Sequence, residues 1–267
     1  MKRIILTATT VLTIMSAISC SDRQSDLEQQ NLKGDVVLVT DTIWDAVEKF
    51  GEIQKKFMTG ITKMTFNEDG QITSITEYDS KGEIIGKKVQ VWQDKDQLSE
   101  TYSYNTDGFI KDRYIYNYDG DRIRTVTGHF TTGRDTLETQ TYRYDGKKIS
   151  RIEGVKGDSI SSVDYSYLDD NGSYKLITKD YHGNTNEILQ YFDSDKRTVK
   201  SVINKVEYLY EYDSNGNYSK VTYLQNEISY HYTKFDDKDN WTERVITTRI
   251  NNSQQSLTID SRHIEYR

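Results

Sequence analysis

Two acidic stretches are the residues of this chain that most resemble metal ligands. The runs 213–217 (Asp-Ser-Asn-Gly-Asn) and 236–239 (Asp-Asp-Lys-Asp) place oxygen-bearing side chains close together, as calcium loops do. The calcium loop of a helix–loop–helix site, however, has glycine at its sixth position and a bidentate glutamate at its twelfth. Here Gly216 is fourth and Leu224 is twelfth. Tight turns favour the same residues, so we interpret both runs as turns and expect no metal.

The other reactive side chains form no catalytic set. The chain has four histidines without a metal-ligand spacing, namely His129, His182, His231 and His263. It has no Gly-x-Ser-x-Gly nucleophile motif and no glycine-rich phosphate loop. With 42 acidic residues, some carboxylates must lie close together whatever the function. We predict that the protein is not an enzyme and has no cofactor; the alternative is a polysaccharide-acting enzyme with acids on a concave face.

Aromatic rings are the remaining candidates for ligand contact. Trp44, Trp92 and Trp241, together with 21 tyrosines, could stack on the apolar faces of sugars or peptides. In a second interpretation the rings only cover one another, because neighbouring strands place aromatic side chains side by side. The sequence leaves both interpretations open.

The spacing of the aromatic residues predicts the elements that carry them. Markers before turns fall alternately 12 and 14 residues apart, at Phe66, Tyr78, Trp92, Tyr104, Tyr118, Phe130 and Tyr144. Turns rich in Asp, Asn and Gly follow them, and the chain has no proline. This rhythm predicts an all-β fold, a long antiparallel β-meander of about sixteen strands in a twisted or curled sheet.

Between the turns the rings alternate, which predicts an aromatic ladder on one face of the sheet. The rows are Tyr102/Tyr104, Tyr114/Tyr116/Tyr118, Tyr142/Tyr144, Tyr165/Tyr167, Tyr208/Tyr210/Tyr212 and Tyr230/Tyr232. Residues 43–50 are ambiguous, since Trp44, Val47 and Phe50 fit a helical spacing, but a turn at Gly51 would make a hairpin. We favour the hairpin because the rest of the chain is built that way.

The N-terminus has the form of an export signal. Lys2 and Arg3 precede an apolar run that is too short to span a bilayer. The following Ala-Ile-Ser-Cys, 17–20, resembles the lipobox of bacterial lipoproteins, and Cys20 is the sole cysteine. The resemblance implies a signal peptide over 1–19 and lipidation of Cys20. It also implies attachment to the outer membrane by lipid, on a face that the sequence does not determine.

The charge and the composition bound the rest of the chain. Without Lys2 and Arg3, 33 basic and 42 acidic residues give 33 − 42 = −9, which argues against a nucleic-acid partner. The lipidated cysteine and a polar stretch over 20–33 are interpreted as a flexible tether. Residues 34–267 then form a single β-repeat domain.

The turn 212–218 (Tyr-Asp-Ser-Asn-Gly-Asn-Tyr) resembles the YD repeat of the RHS (rearrangement hotspot) family, and weaker matches cover most of 57–245. The chain is also similar to exported Bacteroidota lipoproteins with such repeats. The resemblance implies long antiparallel meanders that curl into a spiral or shell. It implies no toxin role, because no toxin domain follows Arg267.

We therefore expect a non-enzymatic, lipid-anchored envelope protein whose extended β surface binds a glycan or a protein partner. An accessory or immunity partner of a secreted toxin is a further alternative. A lipid-spanning β-barrel is disfavoured, because charges interrupt any apolar band: Arg143, Lys175, Lys179, Glu207 and Glu211.

Overall fold

A computed structural model describes residues 24–130 and 136–267, and the fold is described for these ranges. The elements are α1 (Asp26–Gln29), β1 (Val36–Lys49), β2 (Glu52–Phe66), β3 (Ile72–Asp79), β4 (Ile84–Asp94), β5 (Gln97–Tyr104), β6 (Ile110–Asp119), β7 (Arg122–Phe130), β8 (Thr136–Asp145), β9 (Lys148–Lys156), β10 (Ser159–Tyr167), β11 (Tyr174–Lys179), β12 (Thr185–Phe192), β13 (Thr198–Ile203), β14 (Val206–Tyr212), β15 (Tyr218–Tyr223), β16 (Asn226–Phe235), β17 (Trp241–Ile250) and β18 (Ser253–Tyr266). In these ranges, no helix has the length and apolar character needed to cross a membrane.

The strands form a closed barrel. Each strand pairs antiparallel with the next, and β18 pairs with β1 from Val36↔Tyr266 to Asp45↔Thr258, which closes an 18-stranded sheet. Adjacent strands rotate by roughly 20°, and sheets of more than about ten strands curl. Here the curl continues until the two edge strands meet and satisfy each other's backbone groups.

This closure corrects the predicted fold. The chain is all-β, but the open, twisted or curled meander resembling RHS/YD repeats is wrong, because the first and last strands are hydrogen-bonded neighbours. The described residues contain 18 strands, not about sixteen. Residues 43–50 belong to a hairpin, with β1 and β2 joined at Phe50 and Gly51.

Most longer turns share one side-chain hydrogen-bond pattern. In the β14–β15 turn, one carboxylate oxygen of Asp213 accepts from the backbone N–H of Asn215 and of Asn217, both at 2.9 Å. Gly216 has a φ of +81°, where residues with a side chain are strained. Asn67, Asp79, Asn105, Asp180, Asp193 and Asp236 form the same pair of bonds at their own turns. The repeated Asp-x-x-Gly motif is therefore a turn device.

The strand registers divide the side chains into an inner and an outer set. On β14, Tyr208, Tyr210 and Tyr212 are half-buried, while Glu207, Leu209 and Glu211 between them are exposed. Cross-strand partners share a face. Following the registers around the barrel places the tyrosine set on the concave side, where side chains converge. We call this inner space the lumen.

The outer face carries ion pairs between neighbouring strands. Ion pairs join neighbouring strands in the middle of the wall: Arg113–Glu100, Arg151–Asp164, Lys175–Glu187, Lys200–Glu207 and Lys220–Glu211. A lysine or arginine on the lipid face of a membrane barrel costs about 2–4 kcal/mol at the bilayer midplane. Lys175, Glu207 and Glu211, three of the charges on which the sequence argument against a continuous apolar band rested, belong to these pairs.

Apolar packing is concentrated in two clusters. The larger one joins Leu32, Val36, Val39, Met64, Phe66 and Ile72 where the chain enters β1. The smaller one lies on the outer face, where Trp44 and Ala46 pack on Val245, Leu257 and Ile259. The wall between them is thus held mainly by its hydrogen-bond ladders and by contacts between neighbouring side chains.

Candidate functional site

The lumen is the candidate functional site, and large side chains alternate there with small ones. Tyr114 on β6 faces Gly128 on β7, and a Cβ added at Gly128 would lie 3.1 Å from the Tyr114 ring. Gln140 on β8 faces Gly154 on β9, where a Cβ would lie 2.5 Å from the Ser161 hydroxyl. In the β6–β7 hairpin, the Tyr114 ring therefore lies over the backbone of Gly128. The aromatic period of 26 residues in the sequence is the length of one hairpin with its turns.

A second feature of the lumen is a row of hydrogen bonds at the end where β1 begins, which we call the N-terminal mouth. There, the aromatic residue near the end of a strand donates to the backbone carbonyl that starts the preceding strand. The pairs are Trp92 to Ile72 (2.8 Å), Tyr118 to Leu98 (3.0 Å), Tyr144 to Ile123 (2.9 Å), Tyr212 to Thr198 (2.8 Å) and Tyr232 to Tyr218 (2.9 Å). These bonds fix the rings and explain why an aromatic residue precedes each of these turns.

Deeper in the lumen, tyrosines are half-buried and keep part of their rings accessible. Burial raises the pKa of Tyr114 and of Tyr165 to about 12, and it also raises the pKa of Tyr142 and of Tyr210. The ring contacts found among the described residues join side chains of the same or neighbouring strands. The lumen thus presents neutral, amphipathic rings along its wall.

A cluster of paired charges lies in the lumen at the seam where β18 meets β1. Arg262 binds both carboxylate oxygens of Asp41 at 2.7 Å, and Arg244 binds Asp260 at 2.8 and 3.0 Å. Burial raises the pKa of Asp260, although Arg244 beside it acts in the opposite direction. Both guanidinium groups also lie over the Trp241 ring, at 4.3 Å for Arg244 and 3.8 Å for Arg262. These acids are held by arginines, which favours a structural role over acid–base catalysis.

The segment before β1 crosses the N-terminal mouth. The Leu27 amide donates to the Gly70 carbonyl in the β2–β3 turn (3.0 Å), and the Asn31 amide group donates to the Asn215 carbonyl in the β14–β15 turn (3.0 Å). Around the wall, those two turns are separated by six strands (β2, β1, β18, β17, β16 and β15), about 29 Å. Leu27 and Asn31 are one helical turn apart, about 6 Å. The segment therefore takes a short path across the concave side and draws two distant turns together.

Further bonds fasten this segment at both ends. Asn240 accepts from the Lys33 amide (2.7 Å) and donates to the Lys33 carbonyl (2.9 Å). At the other end, the buried Asp26 carboxylate accepts from the Ile72 amide at 2.8 Å. Residues 24–33, which the sequence analysis assigned to a flexible tether, are thus ordered, with a Ser25–Glu28 capping box at the start of α1.

The three tryptophans lie in different surroundings. Trp44 is on the outer face, packed on Val245 and Ile259 with the Lys55 ammonium 5.5 Å from its ring. Trp92 is at the N-terminal mouth, where its indole N–H is bonded to Ile72. Trp241 is buried at the seam, only 5% exposed, beneath the arginines. The structure brings no two of them together as a platform, and the accessible rings of the lumen belong to tyrosines.

The tyrosine row on β5 differs from the other tyrosine rows. Tyr102 and Tyr104 lie on the outer face, since Tyr102 pairs with Val89 while Thr101 and Ser103 face the lumen, so the predicted one-sided ladder is wrong for this row.

Asp213 and Asp236 use their carboxylates within their own turns. No group of three or more His, Cys, Asp or Glu side chains in the described ranges could hold a metal. The signal peptide and Cys20 lie outside the described residues.

Comparisons with known proteins give no family. The chain matches no protein-family model and no curated protein. Among solved structures, a porin-like protein from Bacteroides uniformis is 12% identical, with 86% of this chain and 96% of that one covered and a TM-score of 0.43. A porin-like protein from Bacteroides vulgatus is 12% identical, with coverage of 88% and 99% and a TM-score of 0.39. A structure described as TcdB2-TccC3-TEV is 10% identical, with coverage of 88% and 16% and a TM-score of 0.32.

The seam is the part of the site that sequence reasoning missed. Two of its four charged residues stand two positions apart on β18, in Ile259-Asp260-Ser261-Arg262. That spacing is a sign that both charges occupy one face of a strand. It could not reveal that Asp41 and Arg262 become neighbours, because 221 positions separate them in the chain.

Proposed function

We propose that this chain is a non-enzymatic envelope protein, anchored by lipid at Cys20, that binds glycan chains in its tyrosine-lined lumen. The observation that carries the proposal is the set of half-buried tyrosines along the inner wall, including Tyr114, Tyr142, Tyr165 and Tyr210. Tyrosine rings stack on the apolar faces of sugars while their hydroxyls exchange hydrogen bonds with sugar hydroxyls. The seam carboxylates are paired with arginines, so they add no unpaired charge beside these rings.

The anchor would orient the barrel. Ser25 lies against Gly70 at the N-terminal mouth, and only four residues (21–24) separate it from Cys20. An extended chain of that length reaches about 14 Å. A lipidated Cys20 would hold the N-terminal mouth next to the membrane and turn the other mouth away from it, so ligand would enter from the outer end.

Glycan binding is tested by isothermal calorimetry of the full chain against a panel of neutral bacterial and plant polysaccharides. The change Tyr210→Leu together with Tyr142→Leu should weaken binding at least about tenfold, by removing stacking and polar contacts. The matched control is Tyr104→Leu with Tyr78→Leu, which removes two tyrosines from the outer face. Equal losses in the two variants, or turnover of a polysaccharide by the purified chain, would contradict the proposal.

Lipidation is tested separately. Metabolic labelling with a palmitate analogue should mark the wild-type chain and not Cys20→Ser, which should move from the membrane to the soluble fraction. Unchanged membrane attachment of Cys20→Ser would overturn the anchor while leaving the lumen proposal standing.

A further inference from the structure

The β1–β2 hairpin extends beyond its backbone pairing with the two neighbouring strands, β18 and β3. β1 is paired with β18 only as far as Asp45↔Thr258, and β2 is paired with β3 only from Gly60↔Asp79 onward. Residues 46–59 therefore form a two-stranded extension, which we call the arm. Two bulges at its base, after Ile43 and after Asp45, bend it relative to the barrel.

The arm has an unpaired strand edge. Among the strands of the described ranges, the run 52–59 of β2 is the longest without a partner on one side. On that side, the backbone N–H and C=O of every second residue face outward, and an edge of this kind is a template for another strand. Residues 52–57 are all exposed, so nothing in the described chain covers the edge.

Apolar side chains accompany the edge. Ile53 is 42% exposed and Phe57 is 47% exposed, and their partners Glu48 and Asp45 are three positions apart on β1. The two side chains therefore lie on opposite faces of the arm. Phe50, at the tip, is fully exposed and has a φ of +54°, a conformation that a residue with a side chain adopts at a cost.

The base of the arm is fixed to the wall. Lys55 donates to the Ser261 hydroxyl at 2.6 Å and pairs with Glu243 at 3.2 Å. Trp44 and Ala46 cover the outer apolar cluster. These contacts hold the arm in place. Binding of a strand to its edge would therefore cost little conformational entropy of the arm.

We propose that the free edge of the arm binds an extended segment of a partner protein, which adds to it as a third strand. Backbone hydrogen bonds would give affinity, Ile53 and Phe57 would contact apolar side chains on the two faces, and Lys56 would attract a carboxylate. A lipid bilayer does not fit this surface, because unpaired backbone groups are not tolerated in hydrocarbon. This partner site is separate from the lumen, and its failure would leave the glycan proposal intact.

The probe is a short, end-blocked peptide of alternating valine and glutamate. Added to the full chain, it should slow backbone hydrogen exchange in 52–59 by about tenfold or more. The same peptide methylated on its backbone nitrogens is the matched control, since it cannot form the ladder. Lys56→Glu should weaken binding about tenfold by charge repulsion, while Lys81→Glu, at a different turn on the same mouth, should not.

The outcomes separate cleanly. Protection of 52–59 that is lost on backbone methylation supports strand addition. No protection at saturating peptide, or equal binding of the methylated peptide, overturns it. Protection that grows with protein concentration in the absence of peptide would show that the edge pairs with a second copy of this chain, which also overturns the proposed partner.

Discussion

At the scale of single residues, the turns explain most of the repeat. One carboxylate or amide oxygen accepts from two backbone N–H groups, and the residue three positions later takes positive φ. Where a longer turn carries this device, the residue at that place is usually glycine, but Lys196 (φ +63°) and Asp239 (φ +60°) occupy it in two turns. The hydrogen bond from the Glu83 amide, followed by that from Lys81, lowers the pKa of Asp79, so this carboxylate acts as an ionised acceptor.

Removal of one such acceptor should destabilise the barrel. Asp213→Ala leaves the amides of Asn215 and Asn217 without their partner, and we expect a loss of about 1–2 kcal/mol in the free energy of unfolding. Urea titration followed by tyrosine fluorescence measures it. Asp237→Ala, in the β16–β17 turn, is the control because the Asp236 carboxylate caps that turn. A loss below the error of the control would show that the backbone alone sets the turn.

Replacing a strained residue should have the opposite effect. Lys196→Gly removes a Cβ from the left-handed region, which costs about 1–2 kcal/mol for residues with a side chain, against about 0.5–1 kcal/mol of added chain entropy. We expect a net gain of about 0.5–1 kcal/mol in the urea titration. The converse change, Gly216→Ala, should lose stability by a similar amount, and a gain there would contradict the strain argument.

At the scale of elements, an aromatic hydroxyl or indole joins the two open ends of five hairpins in the described ranges. Tyr212 donates to the Thr198 carbonyl across the β13–β14 hairpin, and its ring stacks on Tyr218 at 4.8 Å. The aromatic residue therefore links the end of its own strand to the start of the strand before it. This double contact gives the 26-residue period a cause in hydrogen bonding as well as in packing.

The hydroxyl can be separated from the ring by mutation. Tyr212→Phe keeps the stacked ring and leaves the Thr198 carbonyl without its donor, so we expect a loss of about 1 kcal/mol in the free energy of unfolding. Hydrogen exchange should also be faster at the start of β13. Phe192→Tyr, at an equivalent place on β12, is a useful companion because it offers a hydroxyl where the chain has none. A Tyr212→Phe variant as stable as the wild type would show that packing alone selects the aromatic residue.

At the scale of the whole molecule, the seam decides that the sheet closes. The Arg262 side chain is 6% exposed and that of Asp41 18%, and together they join the first and the last strand. A one-residue slip between β1 and β18 would put the two side chains on opposite faces of the sheet, so the pair also fixes the register of closure. The segment before β1 adds a second long-range tie across the N-terminal mouth.

Breaking the seam pair should be costly. Asp41→Asn leaves a buried guanidinium without its counter-charge, and we expect a loss of about 3–5 kcal/mol in the free energy of unfolding. The double change Asp41→Leu with Arg262→Met should cost less than Asp41→Asn, because no charge is left unpaired. Thermal and urea unfolding of the three chains measures this. If the free energy of unfolding of Asp41→Asn is within about 1 kcal/mol of the wild-type value, the seam pair does not stabilise the closed sheet.

The buried tyrosines predict how stability depends on pH. The folded state raises the pKa of Tyr114 and Tyr165 to about 12, so the native chain keeps protons that the unfolded chain releases near pH 10. Their contribution is fully present below about pH 10 and is lost as the pH rises through about 12. The urea midpoint should fall as the pH is raised from about 10 to about 12. Absorbance should show that tyrosinate forms at higher pH in the folded chain than in the unfolded chain. Tyr114→Phe with Tyr165→Phe should flatten this fall; an unchanged slope would contradict the burial argument.

The sequence by itself determined the hairpins, because turn chemistry and strand alternation act within a few residues. The turn after Tyr212 is an example, since Asp213 and Gly216 lie within it. Its position can be predicted from these neighbouring residues. Only the tertiary structure decided that the sheet closes, that the tyrosines line a lumen and that residues 24–33 cross its mouth. Those features depend on twist summed over 18 strands and on contacts such as Arg262–Asp41, 221 positions apart, which no local pattern encodes.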